Sequence, residues 1–295
     1  FLGEHDFWVV MAQGITDIGR AGGTMGHANS LAYFFEFFTP LAMAYAVSSG
    51  KQQIRILAAC AALAGIAGTF FTFSRAGWVS LSLGLVAALL FYARGRFSLV
   101  QIVNSLLVIT LVIGLVGVAF GGLILTRASD VENSASWNFR MNTYVVALNM
   151  MRAHPVLGVG ANVYKSVAAQ YIPPDWPLWR SQDAAGVVHN ALLLYGAELG
   201  ILGIGALILL LIAVVRLATR VMRRTDSCLS PAGSGLLAGI VAVFVHAQLD
   251  WLFRYDPVFT IFWFVVGLLL AVNYVLGREW RAESQGANGA EVRSV

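Results

Sequence analysis

Apolar residues in this chain come in runs whose length decides the solvent they fold in. Stretches at about 28–47, 54–73, 77–93, 99–124, 189–217, 233–250 and 257–276 lie at or near the roughly 20 residues that a helix needs to cross about 30 Å of hydrocarbon. Lipid offers the backbone no hydrogen-bond partners, so only helices and closed barrels span it. A barrel would need segments of about ten residues with alternating polarity, and none is present. The fold class is therefore all-α: a polytopic helical membrane protein of about seven transmembrane helices with a large helical loop. Composition agrees, with 58% hydrophobic and 12% charged residues, where a soluble domain carries about 25% charge.

Orientation follows from Lys and Arg in short loops, which stay on the cytoplasmic side. Lys51 and Arg55, Arg94 and Arg96, the group Arg216, Arg220, Arg223 and Arg224, and Arg278 with Arg281 occupy alternate loops. The opposite face, periplasmic in a bacterial inner membrane, receives Phe1–Met25, the Ser74-Arg75 turn, the loop 126–188 and Leu249–Asp256. The expected organisation is 1–125 for an N-terminal loop and four spans, 126–188 for a periplasmic loop, 189–276 for three spans, and 277–295 for a disordered cytoplasmic tail. The chain opens Phe1-Leu2-Gly3-Glu4, with neither an initiator Met nor a signal peptide, and the expectation is that earlier helices are missing. A net charge of +4, scattered as it is, points to no nucleic-acid partner. Cys60 and Cys228 support no disulfide framework; Cys60 is expected to be a small core residue.

Within the loop, Met141, Tyr144, Leu148 and Met151 recur at helical spacing, with Asn138, Asn142, Asn149 and Arg152 facing elsewhere. That pattern predicts an amphipathic helix on the membrane or the bundle. Asn133-Ser134-Ala135-Ser136 offers caps at its start. His154-Pro155 ends it, because the residue before proline is pushed out of helical geometry. Gly158-Val159-Gly160 reads as a turn, and Gly196-Ala197-Glu198-Leu199-Gly200 as a small-residue packing face.

A few polar residues are too costly in such a chain to pass over. Arg75, in Ser74-Arg75-Ala76-Gly77-Trp78, is either an anchor snorkelling beside Trp78 or a planar fork for a phosphate. Arg140 is either a solvated helix residue or a second fork. His189, with Asn190, enters the fifth apolar run; it is either a hydrogen-bonded structural residue or a base, since imidazole is the side chain best matched to taking a proton near neutrality. His246, Asp250, Arg254 and Asp256 surround the outer end of the sixth run, where Asp250 either neutralises an arginine or orients His189. Glu36 sits near mid-span, where a carboxylate is a functional suspect unless it has a structural partner. No D-x-D, H-E-x-x-H, C-x-x-C or P-loop sequence is present, so no metal or cofactor motif is read.

Taken in order, these pieces resemble the O-antigen ligase and polymerase (Wzy-type) superfamily of bacterial membrane glycosyltransferases. The resemblance is carried by Arg20-Ala21-Gly22-Gly23-Thr24-Met25-Gly26-His27-Ala28-Asn29, by Phe73-Ser74-Arg75-Ala76-Gly77-Trp78, and by Arg140 ahead of His154-Pro155-Val156-Leu157-Gly158-Val159-Gly160. It continues through His189-Asn190, Glu198-Leu199-Gly200-Ile201-Leu202-Gly203 and the late aspartate. Ala28 stands where the family pattern commonly has Pro, a departure that touches a turn. The chain would be the C-terminal, catalytic portion of such an enzyme.

The resemblance implies a metal-independent transfer, without cofactors, from an undecaprenyl-pyrophosphate-linked glycan. The acceptor would be lipid A-core in a ligase or the growing polysaccharide in a polymerase; protein O-oligosaccharyl transfer is a further variant. Arg75 and Arg140 would hold the pyrophosphate and His189 would act as base, with Asp250, Glu36 and Asn190 supporting. A flippase or transporter would call for internal repeats and broken helices near the midplane, and neither is clear in the sequence.

Overall fold

The computed structural model describes residues 21–93, 132–223, 228–251, 254 and 256–291. Most of the N-terminal loop and the fourth expected span at 99–124 lie outside the described residues. The regular elements within them are helices: α1 (Ala28–Ser48), α2 (Gln52–Phe71), α3 (Arg75–Ala93), α4 (Glu132–Ala153), α5 (Tyr164–Val167), α6 (Leu178–Ala184), α7 (Ala191–Met222), α8 (Ser230–His246) and α9 (Asp256–Glu291). Four of them, α1, α2, α7 and the Asp256–Arg278 part of α9, are long and apolar enough to cross a membrane, and α3 and α8 are shorter apolar helices. The chain is an all-α, multi-pass membrane protein.

The helices fall into two compact units. The first holds the described parts of Phe1–Arg96, Ile212–His246 and Phe253–Val295, and α1 is its centre, packed on α2, α3, α8 and α9. Glycines let these backbones approach. A Cβ at Gly239 of α8 would sit 2.5 Å from the Phe37 carbonyl oxygen and 3.0 Å from that of Glu36, and one at Gly235 would sit 2.5 Å from Leu41 Cα. Pro40, inside α1, cannot donate to the Glu36 carbonyl, so α8 packs along the stretch of α1 where the helical ladder is weakest. Close approach through small residues is how helices associate in lipid, where burial of apolar surface gives no net drive.

Away from α1 the apolar residues point outward: Leu57 is 73% exposed, and Val79, Leu90 and Phe264 are likewise exposed. In water such faces would drive association; against lipid they are ordinary. Cys60 shares this position. It is exposed rather than in the core as expected, because hydrocarbon takes the place of core for a small apolar side chain. The last helix runs on to Glu291, through residues read from the sequence as a disordered tail; once a packed segment supplies the nucleus, adding residues to a helix costs little.

The second unit holds the described parts of Phe97–Leu211 and Ala247–Leu252. Its core is Val146, Ala147, Met150, Tyr164, Ala168, Ala184, Val187, Val188, Leu194 and Ala197. α4 is present as the spacing predicts and stops before His154, but its inner face is not the predicted one. Asn142, at 4% exposure, is buried with Thr143, Val146, Ala147 and Met150, while Leu148 is exposed. Hydrogen bonds reverse the expectation: the Asn142 carboxamide accepts from Arg180 Nε at 2.8 Å, and the Thr143 carbonyl accepts from the Tyr164 hydroxyl at 3.0 Å. The residues expected to cap α4, Asn133 to Ser136, lie inside it, since the helix begins at Glu132.

Because Gly239 meets backbone and not a movable side chain, G239A is expected to lower the thermal midpoint in detergent by several degrees, the equivalent of about 1–3 kcal/mol of overpacking. G267A, where a Cβ meets nothing within 4 Å, is expected to leave the midpoint unchanged or raise it slightly. A thermal-shift comparison of the two checks the packing argument.

Candidate active site

The polypeptide around His189 is held by backbone carbonyls from a distant segment. α8 ends at His246, and residues 247–251 leave the helix. The Ala247 carbonyl accepts the Ala191 N–H at 2.8 Å, and the Gln248 carbonyl accepts Asn190 Nδ2 at 3.0 Å. The Tyr144 hydroxyl of α4 lies 3.3 Å from the His189 carbonyl and 3.2 Å from that of Gln248, so one O–H is shared between the two. Asn190 Oδ1 accepts the Leu193 N–H at 3.0 Å, which occupies one of the donors left over at the start of α7. Asn190 is therefore a stitch between two segments as well as a helix cap.

The His189 ring is fixed in turn. Its Nδ1 is 3.1 Å from the Val187 carbonyl. A carbonyl can only accept, so this bond places the proton on Nδ1 and the ring's lone pair on Nε2. The Trp251 indole lies against the imidazole, with centroids 5.0 Å apart and planes inclined by 35°. Phe139 meets it edge to face at 5.4 Å. Arg140 follows Phe139 and lies one helical turn before Tyr144, on the same face of α4 and so about 5–6 Å from it at Cβ. The residue is partly buried and has no ion-pair partner among the described residues. Asp250 is fully buried, and its Oδ1 accepts the Trp251 N–H at 2.8 Å. Arg140, His189, Asn190 and Asp250 thus belong to one unit, on elements that touch.

Eleven residues further along α7 the helix is broken. Gly200 has φ 63° and ψ −159°, which turns the chain out of helical geometry. The break frees the carbonyls of Ala197 and Glu198 and the N–H groups of Ile201 and Leu202. All four are re-bonded by the segment after α4: Val159 N–H to Ala197 O and Gly160 N–H to Glu198 O, both at 2.9 Å, Ile201 N–H to Pro155 O at 2.9 Å, and Leu202 N–H to Val156 O at 3.5 Å. Gly158, with φ 68°, allows this approach, since a Cβ there would strike the Glu198 carbonyl; one at Gly200 would strike that of Val156. The buried Glu198 carboxylate accepts the N–H groups of Asn162 and Tyr164, each at 3.0 Å. Burial, and then the Glu198 charge, push the Tyr164 hydroxyl well above the ordinary tyrosine value, so it stays a donor to Thr143. The sequence reading of 196–200 as a packing face holds for Gly196, which abuts Met151; Gly200 is instead the break itself.

Two sequence-selected residues lie in the other unit. Arg75 is exposed at the first position of α3. Ser74 Oγ accepts the Gly77 N–H at 3.2 Å, and the Trp78 indole N–H points at the Thr69 and Phe70 carbonyls at 3.2 and 3.3 Å. Glu36 does have a structural partner: Oε1 is 2.6 Å from His246 Nδ1, both side chains are fully buried, and the Tyr33 ring stacks on the imidazole at 4.2 Å. Of the group at 246–256, His246 therefore pairs with Glu36, whereas Asp256 is exposed in the first turn of α9, where a negative charge suits the helix dipole.

Trp251, Phe139 and Tyr144 around His189 were not legible as site residues, because each is an ordinary apolar residue within its own segment. Arg180 was likewise passed over. Its guanidinium carbon stands 3.7 Å from the Trp176 ring centre while Nε is bonded to Asn142, and Trp176 four residues before it was the available signal.

A family model for O-antigen ligases matches residues 60–210, just over half of the chain, from within α2 to within α7. The chain belongs to the O-antigen ligase (Wzy_C) family, and so to the membrane enzymes of O-antigen ligase and polymerase type. A search of curated proteins finds no match.

The α7 break makes its own prediction. In E198A and in G200A, amide hydrogen exchange at Val159, Gly160, Asn162 and Tyr164 is expected to rise by about tenfold or more, the loss of one or two buried hydrogen bonds at about 1–3 kcal/mol. G205A, whose Cβ meets nothing, is the control. Unchanged protection in both variants would refute the docking described here.

Proposed function

We propose that this protein is an inner-membrane glycosyltransferase with its active face in the periplasm. It transfers an undecaprenyl-pyrophosphate-linked glycan to an acceptor hydroxyl, as an O-antigen ligase does with lipid A-core. The observation that carries this reading is the Nδ1 bond of His189 to the Val187 carbonyl. It selects the tautomer whose Nε2 can take a proton from an attacking hydroxyl. As the anomeric C–O bond breaks, charge develops on the leaving pyrophosphate. The Arg140 guanidinium neutralises it, which is the electrostatic work that dominates many transfers, and the family resemblance gives Arg75 the same task. The polyprenyl tail stays in lipid while its head group reaches the residues above the bilayer. In this reading Asn190 and Asp250 hold the His189 surroundings, and Glu36 acts by tying α1 to α8.

H189A is expected to lose about 10²–10⁴-fold in transfer rate, and R75K and R140K about 10²-fold each, since a point charge does not reproduce a two-pronged fork. The assay uses the purified protein, an undecaprenyl-pyrophosphate-linked oligosaccharide and lipid A-core, with and without EDTA. Full activity of H189A removes the base, full activity of both lysine variants removes the clamp, and inhibition by EDTA that Mg²⁺ or Mn²⁺ reverses contradicts the metal-free reading. Elongation of the donor without added acceptor would assign the polymerase instead.

A further inference from the structure

Resting on His189 as the base, we propose that Trp251 is a positioning residue whose indole face stabilises the protonated imidazole formed during transfer. In the step itself, the acceptor O–H gives its proton to His189 Nε2 and its oxygen bonds to the anomeric carbon. The bond from that carbon to the phosphate oxygen breaks, and its electron pair leaves with the lipid pyrophosphate. The imidazole therefore changes from neutral to cationic between ground state and transition state. Only interactions that strengthen over that change accelerate the step.

The Trp251 ring is placed for such an interaction. A cation within about 6 Å of an aromatic centroid is attracted by the ring's negative face, and indole is the strongest of the aromatic partners. With centroids 5.0 Å apart and planes inclined by 35°, the imidazole lies within that range of the indole ring. Backbone bonds hold both partners: Trp251 N–H to Asp250 Oδ1, and the residues beside His189 to the Ala247 and Gln248 carbonyls. The pair is thus set before substrate arrives, and a substitution of the 251 side chain leaves those backbone bonds available. Among the described side chains of this unit, the titratable and charged groups on the elements around His189 are Arg152 on α4, Tyr195 and Glu198 on α7 and, nearest to the residues that touch it, Arg140, Tyr144 and Asp250. All of them are unchanged in a Trp251 variant, so the comparison isolates the ring. A bland alternative is that Trp251 merely fills the edge of the unit's core, against which it also packs. A filler would be replaced by leucine without any effect on the charge of His189.

The test uses the whole chain in nanodiscs with isotope-labelled histidine. The His189 resonance is identified by its loss in H189Q, and its titration is followed across the neutral range in wild type, W251F and W251L. Removing the face destabilises the cation, so the proton leaves at lower pH. The midpoint is expected to fall by on the order of 1 pH unit in W251L and by less in W251F. With an undecaprenyl-pyrophosphate-linked oligosaccharide as donor, kcat is expected to fall in the same order, with KM for the donor unchanged and the acidic limb of the rate profile moving to lower pH. A midpoint in W251L equal to or above the wild-type value overturns the proposal. Should W251L fail to fold, W251F decides: no fall overturns it equally. Transfer retained in H189A would instead overturn the catalytic reading beneath, and is recognised as such because the titration shift is measured without substrate.

Discussion

A buried backbone polar group left without a partner is costly, and the candidate unit is built around meeting that cost. α7 meets that cost in the least expected way. It breaks at Gly200 inside an apolar run, and the segment from Pro155 to Gly160 returns each hydrogen bond that the break gives up. A break of this kind is tolerated only where the freed backbone groups find other partners. The motif around Gly158 and the motif around Gly200 are therefore one device in two pieces, a peptide segment and the gap it fills. Glu198 completes it by accepting two further backbone N–H groups beyond the gap.

The same economy organises the candidate site. The break lies about 14 Å along α7 from its start at Ala191, at the usual rise per residue, and it ties α7 to the chain that leaves α4. At the other end, carbonyls of the 247–251 segment hold Asn190 and Ala191, and Tyr144 bridges that segment to His189. The histidine is thereby fixed in position and tautomer by groups that carry no charge. Arg140, on the same helix as Tyr144, forms no ion pair among the described residues. Glu36 and His246 are the contrasting case. Their polar side chains face each other, fully buried, and removing one partner would leave the other's buried polar atom without that bond.

Where the sequence was legible, the pattern was local. Helix positions follow from apolar runs, because hydropathy summed over some twenty residues outweighs any single contact. The end of α4 follows from His154-Pro155, because proline restricts the residue before it. The inward face of α4 was not legible: Asn142 and Thr143 are buried because Arg180 and Tyr164, from later in the chain, bond to them. Nor was the role of Gly200, which looks like any small residue on a helix face until the segment that fills its gap is known. Trp251 could not be told from an interfacial anchor, since its partner His189 is 62 residues away.

Sequence alone determined that this chain folds as helices in a membrane and that it carries the ordered motifs of the O-antigen ligase family, because both rest on properties of contiguous residues. Tertiary structure alone decided which polar groups face each other: Glu36 with His246, Glu198 with the backbone beyond Gly160, and His189 between Val187, Phe139 and Trp251. Hydrogen bonds and ring contacts act over a few ångströms in space, so partners far apart along the chain stay hidden until the helices have packed.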